Sequence, residues 1–96
     1  MIIDKGVSKG DVVTIKLTSG EELIASLVEE TDKYIKVSKP RVLASTQGGI
    51  GMAPYLFTVD PDKVIKIAAA TVVVLEPTDR DSAKSYTEAT SSLIVL

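Results

Sequence analysis

Residues 11–37, DVVTIKLTSGEELIASLVEETDKYIKV, alternate apolar and polar side chains through three successive segments. A period of two fits a sheet with one buried face and does not fit a helix. Val13, Ile15 and Leu17 alternate with Thr14, Lys16 and Thr18. Ser19-Gly20 follows as a turn, because glycine reaches positive φ without steric cost. Leu23, Ala25 and Leu27 repeat the pattern on the way back, and Thr31-Asp32-Lys33 makes the second turn. Ile35 and Val37 then alternate with Tyr34 and Lys36. Three strands this short and closely joined predict the opening of a small β-barrel, with the named aliphatic residues inside.

The rest of the chain bounds what such a barrel can be. Its 96 residues make a single domain, 1–96, with one modest core. There is no Cys, hence no disulfide and no thiolate metal site, and no His, the commonest general base and metal ligand. Enzyme chemistry is therefore disfavoured, and no cofactor is expected. A net charge of −2 supplies no global field for nucleic acid, so any such binding has to come from a local patch. Apolar residues make up 45% of the chain, more than a monomer this small can bury, which favours subunit contacts. The longest apolar runs, such as IAAATVVVL, are far shorter than a membrane span, and MIIDKG lacks the pattern of a signal peptide. A cytoplasmic location is expected.

After Val37, Ser38-Lys39-Pro40 reads as an interruption, since proline withholds a ladder donor. Arg41 to Thr46 can resume as strand, QGGIG (47–51) as a hairpin tip, and Met52 to Val59 as the returning arm. The tip lacks the GxxxxGK[ST] frame that cradles phosphates. Asp60-Pro61-Asp62 is a turn signal. Lys63 to Ile67 and Thr71 to Glu76 read as two further strands, with Ala68-Ala69-Ala70 at the bend between them. The run Val72 to Leu75 is apolar on both faces and suits a strand covered on both sides, by the barrel or by another chain. Pro77 ends the sheet, and Asp79 or Asp81 can cap a helix through about Thr90 with a weak stripe of Ala83, Tyr86, Ala89 and Thr90. The apolar tail LIVL is expected to dock on the barrel or to seal a subunit contact. The acids Glu21-Glu22, Glu29-Glu30 and Asp60/Asp62 read as a solvated face, because neighbours on a strand point to opposite sides.

These segments resemble the Sm-like family, which includes Sm and LSm proteins and bacterial Hfq. Over residues 10–37, Gly20 matches the glycine turn, Ala25 takes the position of the glycine at the sharpest bend, and Asp32 matches the turn aspartate when the turn carries one extra residue. Over residues 63–76, I65-K66-I67-A68-A69-A70-T71-V72-V73 is similar to the second Hfq motif: Lys66 matches its lysine, Ala68 its alanine, and Ile67 stands where it has His. No Arg-Gly is present, the insertion 40–61 is longer than the usual variable loop, and the only plausible helix, 79–91, comes last rather than first. GGIGMAPYLFTVDP, followed by an acidic run and a terminal helix, is similar to short Sm-like proteins encoded by cyanophages.

The resemblance implies an all-β fold, a small SH3-like barrel of the Sm-like fold with roughly five to six strongly bent antiparallel strands and a short C-terminal helix. It implies a homo-oligomeric ring, sealed here by Val72, Val73, Val74 and Leu75, whose pore face binds single-stranded RNA as a chaperone or regulator. Tyr34 would stack on a base, Lys36 and Lys66 would meet phosphate or base oxygens, and Ile67 and Asp32 would complete the RNA-binding set. The nearby acids Glu22, Glu29, Glu30 and Asp32 oppose a phosphate backbone. The competing expectation is a structural or protein-interaction ring, a phage assembly or host-takeover factor, that has lost the RNA site. Neither reading involves a metal, a membrane or a small-molecule substrate.

Overall fold

The computed structural model of the protein describes residues 6–91. Six strands run β1 (Val12–Leu17), β2 (Glu22–Glu30), β3 (Tyr34–Thr46), β4 (Gly49–Pro54), β5 (Ile65–Ala68) and β6 (Val72–Pro77), with a 3-10 turn at Ala69–Thr71 and a helix α1 at Arg80–Thr90. The fold is thus antiparallel β with one short C-terminal helix. The expected tail at LIVL lies outside the described residues. No helix among the described residues is long and apolar enough to cross a membrane.

The period-two pattern determines the inside of the sheet. Val13, Ile15, Leu17, Leu23, Ala25, Leu27, Ile35 and Val37 are all buried and form one cluster with Ile67. β1 pairs with β2 and β2 with β3, each antiparallel, while β6 flanks the other side of β1. β5 pairs with the first part of β3, and β4 with its last part. The two end strands, β5 and β6, are joined by only the three residues of the 3-10 turn, so the sheet curls round the core into an open barrel.

Two bulges provide the bend. Ala25 alone faces Lys39 and Pro40, because the ladder runs Ile24–Arg41 and then Ser26–Ser38. Lys39 takes the left-handed region at φ 52°, a conformation that re-aims the strand. The expected interruption at Ser38-Lys39-Pro40 is therefore a bulge inside one strand of 13 residues rather than a break. Pro40 is buried there, at a point where its missing N–H costs no ladder bond.

The returning arm is shorter than expected. β4 ends at Pro54, so Tyr55 to Val59 do not continue it, and the chain leaves the sheet until Ile65. Arg41 holds this excursion: its guanidinium donates to the Pro61 carbonyl at 2.8 Å and pairs with Asp62 at 3.2 Å. Lys63 and Val64 belong to the excursion rather than to β5.

Helix α1 starts as its sequence dictates. Asp79 is the N-cap and accepts from the Ser82 amide at 2.8 Å, which holds its carboxyl below the usual carboxylate range. One aromatic ties the helix down. Tyr86 is 1% exposed, and its hydroxyl donates to the carbonyl of Lys39 at 2.7 Å. Lys39 returns the contact, Nζ donating to the Thr90 carbonyl at 3.3 Å. Of the expected stripe, Tyr86 and Thr90 are buried, Ala83 is half-buried, and Ala89 is exposed.

Candidate nucleic-acid interface

The ladder between β3 and β5 assembles the candidate site. Its pairs are Tyr34–Ala68, Ile35–Ile67, Lys36–Lys66 and Val37–Ile65. Ile35, Val37 and Ile67 point into the core, so Tyr34, Lys36 and Lys66 share the outer face. Two of the loops meet beside them. The Ala69 amide donates to the Lys33 carbonyl at 2.9 Å, joining the β2–β3 turn to the 3-10 turn between β5 and β6.

Lys66 Nζ sits 4.8 Å from the centroid of the Tyr34 ring, a cation–π contact. The Tyr34 hydroxyl donates to Glu29 Oε1 at 3.3 Å, and Lys36 Nζ pairs with the same oxygen at 3.6 Å. One carboxylate therefore meets the Lys36 ammonium group and the Tyr34 phenol, while Lys66 lies over the ring of the same tyrosine. Tyr34 and Lys36, both distant in sequence from Lys66, are brought beside it by the barrel.

Ile67 is not part of this surface. It is 7% exposed and packs in the core, because strict alternation along β5 sends it to the face opposite Lys66. Position in the matched motif put it at the RNA face; the local period rules it out. Asp32 lies exposed at the apex of its turn, but the turn is held through Thr31. Thr31 Oγ1 accepts from the amides of Lys33 and Tyr34 at 3.1 and 3.0 Å. Glu29 is exposed, as a solvated face requires, and from there it touches both Tyr34 and Lys36. The tight hairpin around 31–33 held the clue to these contacts, since it folds Glu29 back across from Lys36.

The candidate subunit contact lies on β6. Val72 and Leu75 pack against the core, whereas Val73 is 60% exposed and Val74 40% exposed. Val73 is the extra residue of a bulge, between the Leu17–Val72 and Lys16–Val74 pairs. Within the described residues β6 has a ladder partner on one side, β1. A concavity of about 670 Å³ shares no residue with the lysine cluster; Ile24, Leu43, Met52, Ser82 and Ser85 are among its walls.

No protein-family model matches the chain, and no curated protein matches it either.

Proposed function

We propose that the protein is a ring-forming Sm-like subunit that binds single-stranded RNA on the outer β3–β5 face as a chaperone or regulator, without catalysis. The observation that carries this reading is the convergence of Tyr34, Lys36 and Lys66 on one face beside two touching loops. An aromatic face for a base with flanking ammonium groups for phosphates is the usual chemistry of single-strand binding. The strand order supports the family part of the proposal. Leaving out the β4 arm, a bent meander is followed by two strands separated by a single 3-10 turn, and Ala25 sits at the bulge where the family bends most.

Ring assembly follows from the edges. Among the described residues, β5 and β6 each leave one side without a strand, and head-to-tail pairing between copies would satisfy both at once. Repetition round a ring would then multiply weak contacts at each cluster.

The test is retention of short U-rich RNA across a salt series. Binding that weakens as salt rises, through counterion release, is the expected result. No retention at low salt by the assembled protein would remove the RNA reading.

A second reading, a structural or protein-interaction ring, is favoured by the apolar exposure. Phe57 is 88% exposed on the excursion, beside the exposed Leu56, and Val73 and Val74 are exposed on β6. In that case the protein assembles but ignores RNA at every salt concentration.

A further inference from the structure

The lysine cluster contains its own counter-anion, and the fold goes out of its way to place it. From the Leu27–Val37 pair, a regular ladder would set Val28 opposite Lys36. Instead Val28 is the extra residue of a bulge, and Glu29 takes the position opposite Lys36. From there one oxygen, Glu29 Oε1, serves Lys36 Nζ at 3.6 Å and the Tyr34 hydroxyl at 3.3 Å.

Resting on the RNA reading above, we infer that Glu29 is an internal competitor for the nucleic-acid phosphate. In the free protein its carboxylate holds the Lys36 ammonium group that an RNA phosphate would use, together with the Tyr34 hydroxyl, and a phosphate oxygen must displace it from Lys36. Carboxylate and phosphate take the same kind of charge-assisted bond from an ammonium group, so the exchange needs no rearrangement of the sheet. It is also shallow: the Lys36 and Glu29 side chains are 35% and 47% exposed, and solvent screens such a pair. Glu29 therefore sets a threshold. A mononucleotide offers too little to displace the carboxylate. A single strand that presents phosphates to several subunits displaces it repeatedly and gains from each site. The ligand class is thus the polymeric single strand rather than a free nucleotide.

The decisive variant is Glu29→Gln, which keeps the shape and an oxygen for Tyr34 while removing the charge. Oligo(U) is expected to bind up to about fivefold more tightly per engaged subunit, the range of an exposed ion pair. The logarithmic salt slope should steepen by about 0.7 for each phosphate newly contacted. UMP, silent with the wild type, should become measurable. The gain must vanish in a Lys36→Ala background. It must also be absent in Glu22→Gln, which removes the same charge at the far end of β2, where Glu22 pairs with Leu43. Wild-type affinity and slope in Glu29→Gln, with the wild type itself binding, would overturn the inference and leave the RNA reading standing. So would an equal gain in Glu22→Gln or a gain that survives Lys36→Ala, since bulk charge would then explain it. If neither wild type nor Glu29→Gln retains oligo(U) at low salt, the RNA reading falls and takes this inference with it. Light scattering and circular dichroism of each variant confirm that assembly and fold are unchanged.

Discussion

Lys36 and Lys66 stand directly opposite each other in the β3–β5 ladder. Like charges across an antiparallel pair are unfavourable, and here each ammonium group has a separate partner. Lys36 meets the Glu29 carboxylate, and Lys66 lies over the Tyr34 ring. A single tyrosine thus contributes to both compensations, through its hydroxyl to Glu29 and through its face to Lys66.

Replacing Tyr34 by Ala should weaken single-strand binding by about 1–3 kcal/mol per stacked base while the oligomer keeps its mass. Fluorescence anisotropy with labelled oligo(U) and light scattering on one sample measure both. Equal affinity in the variant would remove Tyr34 from the site. The same change strips Lys66 of its aromatic partner, so thermal stability should fall slightly and recover in Tyr34→Ala/Lys66→Ala.

Val73→Lys should break the assembly without unfolding the subunit. At 60% exposure the Val73 side chain adds little to the core, so the cost falls on whatever pairs with β6. The mass from light scattering should drop to the monomer while circular dichroism stays the same. An unchanged oligomer would place the contact elsewhere.

Gly20→Ala probes the first turn. Gly20 has φ +107°, and a Cβ there would meet nothing within 4 Å, so backbone strain is the only penalty. Urea denaturation should show a loss of about 1–2 kcal/mol, the cost of holding an L-residue on the left-handed side. A neutral result would mean that the β1–β2 turn relaxes without disturbing the Leu17 and Leu23 registers.

Tyr86→Phe separates the hydroxyl from the ring. The variant loses the bonds to the Lys39 and Ser38 carbonyls and should cost about 1 kcal/mol at neutral pH. Burial pushes the Tyr86 hydroxyl above its ordinary 10.0. The folded state therefore holds this proton more tightly than the unfolded chain. Its contribution is complete below about pH 10 and is lost as pH rises through the folded value. Denaturation midpoints measured from pH 9 upward should fall for the wild type, and the part of that fall due to Tyr86 should be missing in Tyr86→Phe.

The sequence by itself determined which side chains face inward. Alternation is a local property, and burial at Val13, Ile15, Leu17, Leu23, Ala25, Leu27, Ile35 and Val37 follows it, whereas Ile24 is buried out of phase, at 2% exposure. The helix through Thr90 was equally legible, and its cap was narrowed to Asp79 or Asp81, because capping involves only the next few residues; the structure selects Asp79. Alternation even assigns Ile67 to the core, against its place in the matched motif. What only the tertiary structure decided is who stands opposite whom. The bulges at Val28 and at Lys39-Pro40 shift register between strands, and a shift by one residue exchanges a valine for Glu29 beside Lys36. The β3–β5 pairing then joins Lys66 to Tyr34 across more than thirty residues of chain, while the Arg41 anchor keeps 55–64 out of the sheet. The β3–β5 pairing depends on non-local closure of the barrel, which no short window of residues encodes.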